Sequence, residues 1–454
     1  MSWRAKYLAL VCVINTLSAW ALADGTCAGQ ITYQSDTDDA YKYLEDQQRQ
    51  IYKQNPHLTD PYSRAELNQP RSVASFAELK ARALKACPDP SLRASCVLDP
   101  DMVDRLMKEI PCLILPTRFE SPLFASLIEG YSDELDKVRA SHFTKSPVTR
   151  FGSLPTGTFD AQAILPPNSN VPLVILNRDI FFFTGALSKA ISDSIPITRG
   201  GAVNLDYSET GIRRRLRDHP YIVNNFADAM SRLVRQGSSS GAIEVTLDEE
   251  HNHMHARLVT AMDRFLISHE EAHVILGHVS DQWVEFRLAG SRSKGTSVQV
   301  LKLAVPRRKV LSPTLNSLAD GPSTTLKAEL RTREQELQAD ALGFKLMIWS
   351  EEVEGDPIGE MIAAGAPHIV FRVLDAANAY GSAAGGWTFS DANHPSPADR
   401  IKALSPVFDE VAKASEPLRE VDFRIPFDAA FNVLLAEADP QIRQNLGLPR
   451  KKTK

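Results

Sequence analysis

Apolar residues recur at helical spacing from near Ala256 through Leu258, Val259, Met262, Phe265 and Leu266. A period near 3.6 with one apolar face predicts a long helix with a buried side. Leu326 to Ser350 and Ile358 to Tyr380 repeat that pattern. Shorter helical patterns cover Thr37 to Tyr52, Ser75 to Ala86, Met102 to Ile110 and Pro122 to Ala140. Ser75 with Glu78 three residues on forms a capping box at the start of its segment. Extended segments are predicted over Ser146 to Phe159, Val171 to Thr184 and Ser297 to Val305. Within the second, Val171–Leu176 and Ile180–Phe183 flank Asn177-Arg178-Asp179, which reads as a hairpin turn. The fold class this implies is α+β, predominantly helical, with a small edge β-hairpin or sheet beside the long helix.

The first long run ends in Ser268-His269-Glu270-Glu271-Ala272-His273-Val274-Ile275-Leu276-Gly277-His278. Residues four apart on a helix lie on one face, so His269 and His273 aim two imidazoles at one point. That is the spacing at which a helix holds Zn²⁺, and Glu270, one residue round, is placed to take a proton from water. On a continuous helix His278 comes about 140° round from His273 and points away from that spot. A third ligand is offered by the second long run. Glu336 and Asp340 share one of its faces; Glu336 can complete two His and one Glu, and Asp340 can accept a hydrogen bond from a ligand imidazole.

Three elements together resemble a known family: His269-Glu270-x-x-His273, Glu336-x-x-x-Asp340 in an ELQAD setting, and His394-Pro395-Ser396-Pro397-Ala398-Asp399-Arg400-Ile401. They are similar to gluzincin metallopeptidases of the HtpX and CAAX prenyl endopeptidase type, with soluble periplasmic members of the BepA kind. Asn177 to Leu187 is similar to the strand and turn that precede the zinc helix in that family. The phage-exclusion Lit-like peptidases are a near neighbour. The resemblance implies a zincin-like catalytic domain with one Zn²⁺ per chain, ligands His269, His273 and Glu336, and Glu270 as catalytic base. It further implies His394 near the metal, as an oxyanion-side donor or a switchable fourth ligand, and Arg400 as a structural or charge-stabilising partner. The substrate implied is a protein or peptide bound as an extended strand.

Residues 1–23 read as a cleaved leader: Arg4 and Lys6, a short apolar core from Tyr7 to Ile14, then Ala21-Leu22-Ala23. Export to the periplasm or beyond follows as the expectation. Cys27, Cys87, Cys96 and Cys112 would then form two disulfides, with three possible pairings. Residues 24–145 form a helix-rich N-terminal region: a prodomain, a lid or a partner module. Residues 146–405 form the catalytic domain, with insertions at about 188–255 and 281–323, and 406–454 a helical tail.

Composition changes little. The chain has 454 residues, 43% hydrophobic and 24% charged, ordinary values for a globular protein. A net charge of −5 makes no case for nucleic acid, and no stretch after the leader is long and apolar enough to span a bilayer. Arg213-Arg214-Arg215-Leu216-Arg217 reads as a solvated helix face, and His251, His253 and His255 as histidines of a loop. Gly381 to Trp387 reads as the loop that delivers His394, which Pro395 and Pro397 keep out of helix. The alternative function is a latent zincin acting as an envelope chaperone or assembly factor, with His394 filling the fourth position.

Overall fold

The computed structural model describes residues 30–54, 112–120, 122–143, 147–156, 159–199, 203–237, 249–279, 284–287, 300–303, 322–385 and 395–449. The expected leader, Cys27, Cys87, Cys96, the segments Ser75–Ala86 and Met102–Ile110 expected to be helical, and His394 lie outside them.

The chain opens with β1 (Gln30–Tyr33) and α1 (Asp39–Gln54), and β2 (Cys112–Leu115) pairs in parallel with β1. Then come α2 (Pro122–His142), β3 (Arg150–Leu154), β4 (Ala161–Ile164) and β5 (Leu173–Asn177). These three strands form one sheet in the order β3-β5-β4, with β5 parallel to β3 and antiparallel to β4. Successive side chains of β5 go to opposite faces. Leu173 and Ile175 meet Leu44 and Ile51 of α1; Val174 and Leu176 meet Phe124 and Leu135 of α2 and Ile267 and Ala272 of the long helix.

The expected hairpin is not there. Asn177 ends β5, and α3 (Arg178–Ser194) begins at once. Ile180–Phe183 is helix rather than strand, because four consecutive apolar residues satisfy either period. The tie is broken downstream: Ile180, Phe183, Leu187 and Ile191 recur at helical spacing and are all buried, whereas Phe182 on the opposite face is 49% exposed. Val171–Leu176 thus supplies the central strand, and the outer strand on the long helix's side is β4.

A short hairpin follows, β6 (Ile197–Arg199) with β7 (Val203–Leu205), then α4 (Glu209–Asp218) and α5 (Pro220–Gln236). Ser208 caps α4 by accepting from Gly211 N at 3.0 Å. The basic run lies on α4 as a helix face: Arg213 pairs with Glu209 at 2.8 Å, Arg215 donates to the Asp193 carbonyl at 2.7 Å, and Leu216 is buried.

The long helix is α6 (Glu249–Ile275), and it starts earlier than its apolar pattern predicts. His251, His253 and His255 therefore belong to its first turns and not to a loop. They face three different neighbours: His251 Nε2 meets the Ile195 carbonyl at 2.9 Å, Arg257 donates to His253 at 3.0 Å, and His255 Nδ1 meets Ser188 Oγ at 2.8 Å. Beyond α6 lie β8 (Val284–Arg287), antiparallel to β9 (Val300–Leu303), and then α7 (Pro322–Glu354).

The Gly381–Trp387 loop begins late, since α8 (Pro357–Ala384) runs on to Ala384 and is closed by Gly385 at φ 62°. Last come α9 (Pro397–Ala414), α10 (Glu416–Glu420) and α11 (Arg424–Leu446). α6 packs along α7, α3 and α8. The main core joins Phe226 and Met230 of α5, Leu258, Met262 and Phe265 of α6, Phe371 of α8, Phe408 of α9 and Phe427, Phe431 and Leu434 of α11. Among the described residues no helix is long and apolar enough to cross a membrane.

Candidate metal centre

Two helices make the centre, and one glycine lets them meet. On α7, Glu336, Asp340 and Gly343 fall at i, i+4 and i+7, a single stripe. That stripe faces the last turns of α6. A Cβ at Gly343 would lie 2.8 Å from both the Cα and the N of His269, so only glycine permits this approach.

Across the contact, His269 Nε2 and His273 Nε2 are 3.2 Å apart. Glu336 Oε2 is 3.4 Å from His269 Nε2, and its Oε1 is 3.3 Å from His273 Nε2. Four donors around Zn²⁺ at 2.0–2.1 Å are separated by about 3.3–3.4 Å in a tetrahedron. The separations are close to that figure, with one Glu336 oxygen toward each histidine, and the donor set of two imidazoles and a carboxylate fits zinc. These three residues form the one group of metal-binding type among the described residues. The side chains of His273 and Glu336 keep 14% and 12% exposure, so the group is sheltered yet reachable by water.

The surroundings set the charges. His269 Nδ1 donates to Asp340 Oδ1 at 3.0 Å, which turns its Nε2 toward the other donors. Asp340 is fully buried and accepts from Arg400 Nε at 2.7 Å. The Arg400 guanidinium lies over the Phe371 ring, 4.4 Å from its centre, and its Nη2 is 3.8 Å from Glu336 Oε2. Burial alone would push His269 down; hydrogen bonds to Asp340 and Glu336 outweigh it and lift the imidazole to about 10. Burial would raise Glu336, but the two histidines hold it well below the usual carboxylate range. Asp340 is likewise held low, by Arg400 and His269 against burial. Glu270 is 7% exposed, and its charge is close enough to Arg400 to favour the charged guanidinium.

Of the residues expected from sequence, His269, His273, Glu336, Asp340 and Arg400 converge, and Glu270 is beside them. His394 is in the segment between α8 and α9, outside the described residues.

Two residues were missed. Glu271 is buried on the far side of α6, where Arg139 and Thr149 donate to it, Thr149 at 3.1 Å. Burial pushes its carboxyl up to about 7, outweighing the opposing pull of Arg139. His278 stands outside the donor group, as expected, but packs against His273. α6 ends at Ile275, and the turn through Gly277 brings His278 Nδ1 to 3.2 Å from His273 Nδ1. Gly277 itself was the signal, since glycine just past a helical run is a stop. A cavity of about 530 Å³ bounded by Pro367, Leu404, Phe408 and Ile425 shares no lining residue with the centre.

The fold and site define a mainly helical α+β protein in which α6 and α7 bring two imidazoles and a carboxylate to one point. No protein-family model, curated protein or solved structure matches the chain.

Proposed function

We propose that the chain is a zinc-dependent metalloendopeptidase with a zincin-like catalytic domain. The observation that carries this reading is the convergence of His269, His273 and Glu336, within 3.2–3.4 Å of one another, with Glu270 next to His269 on the same helix. His269, His273 and Glu336 would hold the ion. When bound, zinc supplies Lewis acidity, which lowers the pKa of water to about 7 and polarises a carbonyl.

The chain's own residues do the rest. Asp340 keeps the His269 proton on Nδ1, and Arg400 keeps Asp340 charged. The Glu270 carboxylate takes a proton from the attacking water and hands it to the leaving amine nitrogen as the peptide bond breaks. β4, the outer strand beside α6, offers backbone groups to a substrate held in extended form. His394 is the proposed donor on the oxyanion side. The leader pattern of residues 1–23 supports action outside the cytoplasm, on envelope or secreted proteins.

Glu270→Gln tests the reading. It should keep stoichiometric zinc and lose about 10²–10⁴-fold in casein cleavage, the usual worth of a general base. Cleavage at the wild-type rate with zinc retained would refute the role given to Glu270.

A further inference from the structure

The end of α6 is built by backbone chemistry. Gly277 has φ 70°, the left-handed conformation that suits glycine. His278 N donates to the His273 carbonyl at 2.8 Å, and Gly277 N to the Val274 carbonyl at 3.1 Å. This pair of bonds is the Schellman ending, which folds the residue after the glycine back over the residue five earlier. Two apolar side chains commonly meet there. In this chain both are imidazoles, 5.3 Å between ring centres and inclined at 63°.

Two ring nitrogens 3.2 Å apart require one donor and one acceptor. His273 Nε2 faces His269 and Glu336, so its proton sits on Nδ1. His278 must then accept at Nδ1 and carry its own proton on Nε2. Gln338, two residues beyond Glu336 on α7, lies close enough to favour the charged form of His278.

We propose that His278 is a positioning residue for the metal centre: it fixes the tautomer and ring plane of His273, as Asp340 does for His269. This rests on the metal-site reading above. His278 is not itself a ligand in this arrangement, because it meets the edge of the His273 ring turned away from the other donors. The two ligand histidines are therefore held differently, one by a buried carboxylate and one by an imidazole that a glycine turn delivers.

The test uses the full chain and three proteins: wild type, His278→Leu and His278→Asn. Leu fills the space without an acceptor; Asn places an amide oxygen roughly where Nδ1 stands. Zinc affinity is measured by competition with a chelating dye, and site geometry by the visible absorption of the Co²⁺ form. His278→Leu should lose about 10–100-fold in zinc affinity and show an altered Co²⁺ spectrum. His278→Asn should restore both, with urea midpoints of the metal-free proteins alike. The proposal is overturned if His278→Leu binds zinc like wild type with the same Co²⁺ spectrum, or if His278→Asn fails to restore them. Should His278→Leu not fold, a wild-type spectrum and affinity in His278→Asn support the proposal and their loss overturns it. If wild type takes up no stoichiometric zinc, the proposed function falls as well; if it does and the variants match it, only the role of His278 falls.

Discussion

Gly343→Ala separates what the helix contact does from what the ligands do. Carbon atoms in ordinary contact sit about 3.5–4.0 Å apart. The added Cβ would lie 2.8 Å from His269 Cα and N and 3.1 Å from the Ser268 carbonyl carbon, all of it backbone that cannot swing aside. α7 must retreat by roughly 0.7 Å to reach ordinary contact. Overpacking of this kind costs about 1–3 kcal/mol, against which the better helix propensity of Ala returns about 0.5–1 kcal/mol. Asp340 and Glu336 ride on the same stripe one and two turns away. The Asp340–His269 bond, 3.0 Å now, would stretch past hydrogen-bonding reach. The Glu336–histidine separations would open beyond the tetrahedral edge. We expect zinc affinity to fall about 10–100-fold, as when a supporting partner of a ligand is removed, together with a lower urea midpoint of the metal-free protein. Gly185→Ala is the control: nothing lies within 4 Å of its added Cβ on α3, so it should stabilise the fold by about 0.5–1 kcal/mol and leave zinc unchanged. A Gly343→Ala protein with wild-type stability and wild-type zinc affinity would refute the argument that this close approach sets the centre.

What could be read from the sequence, and what could not, divides along the range of the information. α6 and α7 were legible because helical periodicity is local and repeated over many turns. The donor residues were legible because each pair sits four apart on one helix. Ile180–Phe183 was not, because four apolar residues carry no period of their own, and the deciding Leu187 and Ile191 lie further on. His278 was misplaced by extending α6 through Gly277, although glycine at that point is a stop. Glu271 could not be read at all: its partner Arg139 is 132 residues upstream, and no local pattern joins them. The parallel pairing of β3 with β5, and hence β4's place on the outside, is likewise a long-range choice. Gly343 belongs to the same class, since only the facing helix shows why its side chain must be absent.

Zinc binding should release a proton. In the metal-free protein His269 is protonated up to about pH 10, so at pH 7.5 the ion must displace one proton; affinity should rise about tenfold per pH unit between pH 7 and 9. Calorimetry in two buffers of different ionisation enthalpy reads the proton directly, and none released would contradict the His269 assignment. The same shift also bears on folding without metal. A histidine whose pKa is raised on folding contributes stability that is fully present below about 6.5 and is lost as pH climbs through about 10. Glu271 should act with the opposite sign from an ordinary paired carboxylate. Its folded pKa of about 7 lies above the unfolded value near 4.5, so between those values the native state holds the proton that the unfolded chain has given up. Stability must then fall as pH rises through that window, by no more than about 3–4 kcal/mol for a shift of this size, and level off above it. Glu271→Gln keeps the shape and removes the titration. The difference in urea midpoint between wild type and Glu271→Gln should therefore drift in favour of the variant from pH 4.5 to 7 and stay constant beyond. A difference that does not change with pH would mean that Arg139 keeps Glu271 charged throughout, and that the ion pair, not burial, governs this side of α6.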